Sequence, residues 1–255
     1  MRLNYYIMVA IFLCISTAGE AQQRHNVDGA FFDRVSYKVA IGSKIGGSAP
    51  LPIPKEIRKV KGYSPHYPFF IGAKATHAID SKWGVSLGLT FEGKGMNTKA
   101  DVKNYKTSFN ANEDPTANAK GYFTGRITTK VQNLYLSIPI QATYQVGERW
   151  SLQAGPYIAF ALQKRFFGEA TDGYLRNIEP TGEKLNITFA EYDFRESVRT
   201  IDVGMSLGTN YDFGQRYFAL AQFDYGFNNI MKTGFESISF GLHNIFLNVG
   251  VGIKI

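Results

Sequence analysis

The sequence predicts an all-β protein, an eight-stranded antiparallel up-and-down transmembrane β-barrel with a filled lumen. Three observations point there. Apolar and polar residues alternate with period two in eight separate segments. The connections between those segments alternate between short and long. A stretch with the features of a secretory leader precedes the first of them.

Composition sets the frame. The chain has 255 residues, 28 Lys+Arg against 21 Asp+Glu, and a net charge of +7. Only 19% of residues are charged, while Gly (26), Phe (20) and Tyr (15) are plentiful. Ample apolar surface excludes intrinsic disorder. One Cys excludes a disulfide scaffold. Past residue 20 no apolar run approaches the roughly 18 residues of a membrane helix.

Arg2, the apolar stretch Tyr5 to Ile15 and the small residues Gly19 and Ala21 read as a signal peptide over residues 1–21. Cys14 lies inside it and leaves with it. Residues 22–255 are then the barrel domain, with 22–34 a periplasmic N-terminal segment whose Phe31-Phe32 tucks beneath the barrel.

The clearest strand is Leu134 to Gln145, in which every even position is apolar or aromatic. Successive strand residues face opposite ways, so one face is greasy and the other polar. Trp150 to Gln163, Ile201 to Tyr211, Trp83 to Glu92, Tyr217 to Phe227 and Ile245 to Ile255 repeat the pattern. Val35 to Ile45 and Phe69 to Ile79 show it more weakly. Short turns fall at Asp80-Ser81-Lys82, Gly147-Glu148-Arg149 and Asp212 to Arg216. Long loops fall at about 48–66, 95–120, 165–194 and 228–237. In a meander this places every long loop at one end, the plan of bacterial outer-membrane barrels, with both termini periplasmic.

The polar face decides which side is inside. A water-facing surface would be rich in Lys and Glu. Here Gly, Ala, Ser, Thr, Gln and Asn dominate, which suits a narrow interior. Its charges balance: Lys38, Lys44, Lys74 and Lys254 against Glu92, Asp202, Asp212 and Asp224. A lumen ion network of Lys38, Lys44, Lys74, Glu92, Asp202 and Asp224 is expected, since an unpaired buried charge is costly. Trp83, Tyr144, Trp150, Tyr211, Phe213 and Tyr217 cluster at the short turns, and Phe69, Phe91, Phe160 and Phe227 form a second ring. Leu136 is expected at mid-bilayer. A lipocalin-like soluble barrel, with its greasy face inward, is the alternative these observations disfavour.

Leu134 to Ile140, followed by Trp150 to Tyr157, resembles the PorT-type outer-membrane β-barrel family of Bacteroidota. Lys44-Ile45-Gly46-Gly47 and Asp224 to Ile230 are similar to it too. The resemblance spans essentially the whole mature chain. It implies an outer-membrane barrel assembled by the barrel-assembly machinery; the family's namesake is tied to a protein-secretion system. Barrels of this sort often end in an aromatic residue, whereas this chain ends in Lys254-Ile255.

No catalytic residue, cofactor or metal site is expected. Gly204-Met205-Ser206-Leu207-Gly208 matches the nucleophile-elbow pattern, but that motif needs a strand-to-helix turn and here sits inside an alternating strand. His25, His66, His77 and His243 lack metal-ligand spacing. Ser239 and His243, with Glu236 before them, lie over about 13 Å apart along a strand, too far for a direct bond. The first long loop carries Lys55, Arg58, Lys59 and Lys61, a candidate anion-binding loop for lipopolysaccharide phosphates or another anionic surface. The second carries Lys94, Lys99, Lys103 and Lys106. Nucleic acid is not an expected partner. The resulting expectation is a non-catalytic barrel that presents loops to a surface ligand or an envelope protein complex. A small-solute channel and a lipid A-modifying enzyme are the alternatives.

Overall fold

The computed structural model describes residues 34–110, 118–177 and 179–255. The expected signal peptide and residues 22–33 of the N-terminal segment lie outside them. No helix among the described residues is long and apolar enough to cross a membrane.

Eleven strands form one antiparallel sheet: β1 (Val35–Ala49), β2 (Ile57–His66), β3 (Phe70–Ala78), β4 (Trp83–Asn110), β5 (Asn118–Val146), β6 (Trp150–Gln163), β7 (Phe166–Asn177), β8 (Lys184–Asp193), β9 (Ile201–Phe213), β10 (Tyr217–Gly226) and β11 (His243–Lys254). The alternation predicts eight. Its eight segments lie in β1, β3, β4, β5, β6, β9, β10 and β11, and these strands pair in a closed ring. The other three fall in stretches expected as loops.

Facing in the ring follows the alternation. Leu87 and Val249 are 56% and 50% exposed, whereas Ser86 and Asn248 are 1% and 4% exposed. A ring this narrow holds large side chains only where a neighbour is small. A Cβ on Gly252 would stand 2.4 Å from the Phe218 ring, and one on Gly204 would stand 2.7 Å from Tyr157. The glycines of the polar face are thus the floor on which the lumen aromatics lie. At the short-turn end, outward aromatics pair across strands: Trp83 with Tyr144 at 4.7 Å, Trp150 with Tyr211 at 4.8 Å, and Phe213 with Tyr217 at 6.2 Å between ring centroids. At the other end Phe69 lies 5.6 Å from Phe91. Leu136 pairs in register with Phe91 and with Phe160, at the level of this second ring. The mid-belt position on these strands belongs instead to Leu87 and its partner Ile140.

Beyond that ring the pattern inverts. On β5, Leu134, Leu136 and Ile138 face outward, but Phe123, Ile127 and Val131 are buried inward. On β4, Met96 and Val102 are likewise buried, while Lys99 is exposed. The physical reason is the change of surrounding solvent: hydrocarbon attracts the apolar face outward, and water drives it inward. The distal halves of β4 and β5 continue into β7 and β8, and β8 returns to β4 at Asn110↔Glu191. This roll has its own apolar core of Met96, Phe123, Val131, Phe166, Tyr192, Met231 and further residues, with Phe235 and Phe240 packed against it. Burial pushes the Tyr105 and Tyr192 phenols above their ordinary value. β2 runs beside Gly95 to Val102 of β4 as an edge strand, with nearly every residue exposed on both faces.

Candidate functional site

The ring positions an ion network at its centre because β1, β4, β9 and β10 each turn an inward charge to a similar depth. Lys44 on β1 bonds Glu92 on β4 and lies 3.4 Å from Asp224 on β10. Lys94 Nζ lies 2.8 Å from Asp202 Oδ2 on β9 and 3.3 Å from Glu92 Oε1. All five side chains are buried. Neutral donors complete it: Ser137 donates to Glu92, Tyr157 donates to Asp202 at 3.1 Å, and Ser206 and Asn248 donate to Asp224 at 2.7 and 2.6 Å. Lys94 also stands over the Tyr157 ring at 4.4 Å and the Tyr135 ring at 5.1 Å.

Of the expected network, Lys44, Glu92, Asp202 and Asp224 come together. Lys38 and Lys74 do not join them by ion pairs. Lys74 Nζ donates to Gln141 and Gln153, and Lys38 sits over the Phe218 ring. Lys254 and Asp212 form a separate pair at 2.5 Å near the short turns. Lys94 is a correction: grouped with loop lysines in the sequence, it is fully buried in the lumen. Its parity with Thr90 and Glu92 on β4 was the signal that places it inward.

The loop-end surface carries the other candidates. Lys55, Arg58, Lys59 and Lys61 are exposed along β2 and the turn before it. Lys61 pairs with Asp101 at 3.1 Å. Lys55, Arg58 and Lys59 have no carboxylate within ion-pair distance among the described residues. Asp101 continues to Arg126 at 3.7 Å, which reaches Asp172 at 2.9 Å, a charge ladder across the outer face of the roll. Exposed apolar residues Leu51, Ile53 and Val60 accompany the basic stretch.

Ser206 lies mid-strand and is held by Asp224. His243 Nδ1 is 3.0 Å from the Gly226 carbonyl oxygen, and Glu236 pairs with Lys120 at 3.0 Å. Ser239, His243 and Glu236 are therefore not drawn together by these bonds. Among the described residues no cluster of three His, Cys, Asp or Glu is arranged to hold a metal ion.

The sequence model for the outer membrane protein beta-barrel domain matches residues 20–232. No curated protein matches. Among solved structures, the chain is similar to Ail, the attachment invasion locus protein of Yersinia pestis, in complex with the heparin analogue sucrose octasulfate. The identity is 12%, covering 87% of this chain and 97% of that one, with a TM-score of 0.34. A second crystal structure of Ail gives 11% identity, the same coverage and a TM-score of 0.33.

Proposed function

The chain belongs to the outer membrane protein β-barrel domain family, and from that premise we propose a non-catalytic interaction role for the roll it holds outside the bilayer. In this reading the eight ring strands are the transmembrane barrel, crossing up and down around a filled lumen. The short turns and both termini face the periplasm, and β2, β7, β8 and the distal parts of β4 and β5 face outward. The barrel is of the PorT type of Bacteroidota, and the roll engages a surface ligand or an envelope or secretion complex.

One observation carries this: the inversion of the apolar face on β4 and β5. An anchor or a pore needs only short connections. This chain instead builds a water-facing body with its own buried core, and such a body offers a shaped surface to a partner. The basic stretch Lys55, Arg58 and Lys59 beside Leu51 and Ile53 suits lipopolysaccharide phosphates at the membrane border. The small-solute reading is disfavoured by the ion network and by Tyr135, Tyr157 and Phe246, which fill the ring where a water path would run.

Photocrosslinkers at Val60 on β2, Lys184 on β8 and Leu87 on the belt test the role in native outer membranes. The expected result is protein or lipopolysaccharide adducts of defined mass at Val60 or Lys184 and only lipid at Leu87. Absence of any adduct at both roll positions, together with a steady conductance in planar bilayers, would replace this reading by a channel.

A further inference from the structure

The ring interior differs at its two ends. Toward the long loops it is capped by the apolar core of the roll. Toward the short turns it opens into a vestibule of about 320 Å³, which leads to a chamber of about 70 Å³ beneath the ion network. Four residues line both spaces: Lys38, Lys74, Gln153 and Asn210.

These two lysines differ from the other lysines of the lumen. Lys44, Lys94 and Lys254 each have a carboxylate partner. Among the described residues, Lys38 and Lys74 have none within 4.0 Å. Lys74 Nζ donates to Gln141 Oε1 at 2.5 Å and Gln153 Oε1 at 2.7 Å, so one of its three N–H donors remains. Gln153 in turn donates to Asn210 at 3.4 Å, which fixes the amides around that ammonium. Lys38 has the Phe218 ring at 5.1 Å, a contact that satisfies no donor. The central network holds three carboxylates and two lysines, so Lys38 and Lys74 together leave a single cation without a counter-charge. Asp80 and Lys82, of opposite charge, also line the vestibule wall, and Ser36, Thr76, Thr143 and Ser151 add neutral hydrogen-bonding groups to it.

We propose that this vestibule binds a singly charged oxyanion, a phosphodiester or carboxylate group, entering from the short-turn end and held between Lys38 and Lys74. The anion accepts from both ammonium groups and supplies the missing counter-charge, and it removes the repulsion between two cations in one partly closed space. This site is at the opposite end of the ring from the roll and does not depend on the role assigned to the roll.

The test uses the refolded mature chain in detergent micelles, with dimethyl phosphate and acetate as separate probes. Lysines are modified by formaldehyde and borohydride, and the rate at each position is read by mass spectrometry. At least one probe should slow modification of Lys38 and Lys74 about fivefold or more, in a saturable way, while Lys130 and Lys232 are unaffected. The probe that protects identifies the group as phosphodiester or carboxylate. Uniform protection of all lysines, or none at Lys38 and Lys74, would overturn the proposal. Lys38→Gln, checked as folded by its mobility shift on boiling, should lose the protection of Lys74. Protection that survives in this variant would also overturn it.

Discussion

Lys94 Nζ and Asp202 Oδ2, 2.8 Å apart, tie β4 to β9 across the lumen. Both side chains are buried. Lys94 also shares Glu92 with Lys44, and the Lys94–Asp202 contact links strands that are not neighbours in the ring. In a barrel, where lateral hydrogen bonds already join adjacent strands, this bond braces the ring across its axis.

Removing one partner leaves a buried charge. Lys94→Met should destabilise the barrel by about 3–5 kcal/mol, because Asp202 keeps only the Tyr157 hydroxyl as a close donor. Urea unfolding from lipid vesicles measures this. Lys94→Met with Asp202→Leu should recover part of the loss; a double variant as unstable as the sum of the singles would show that the two do not interact.

Depth in the belt sets the cost of a charge facing lipid. Leu87 lies midway between Trp83 and Phe91, so Leu87→Arg should cost about 2–4 kcal/mol and impair insertion. Leu136→Arg, level with Phe91 and Phe160, should cost less. Equal effects in the same vesicle assay would contradict the assigned depths.

Much of this was legible in the sequence. Leu134 to Gln145 has one lipid-facing and one lumen-facing side, and that contrast writes itself as strict alternation. β2 left no such trace, because both of its faces meet water and neither selects apolar residues. β7 and β8 were hidden for a different reason. Phe166, Gly168 and Ala170 are buried in the roll beside outward Phe167, so bulk and polarity do not alternate together. Among the site residues, Lys44, Glu92, Asp202 and Asp224 were readable from strand parity. Lys94 is not legible in this way, because it sits where the apolar face of β4 changes sides and the alternation that marks the strand stops.

The short turn between β3 and β4 carries a pH dependence. Asp80 Oδ1 accepts the backbone N–H groups of Trp83 and Lys82, each at 2.7 Å. Those bonds favour the charged carboxylate and hold its pKa below the ordinary value. A depressed folded-state pKa gives stability that is present above the unfolded value and lost as pH falls through the folded one. Asp80→Ala should therefore lower the thermal midpoint at pH 7, and its deficit against the parent should shrink as the pH is taken below about 4. A deficit independent of pH would contradict the carboxylate's role.

Steric fit in the lumen is testable by a pair of changes. Gly252→Ala drives a methyl group against both the Phe218 ring and the Val39 carbonyl oxygen, each at 2.4 Å, and should cost about 1–3 kcal/mol. Adding Phe218→Leu should relieve part of that cost in the same unfolding measurement. No relief would show that the glycine is needed for some other reason.

Nitroxide labels placed singly at positions 203 to 209 of β9, in the mature chain in lipid vesicles, report the orientation of the two faces directly. An apolar face turned to lipid requires that collision with dissolved oxygen peak at Val203, Met205 and Leu207 and fall at Gly204, Ser206 and Gly208. The opposite phase, or no alternation along the strand, would contradict a barrel whose greasy side lies against the membrane.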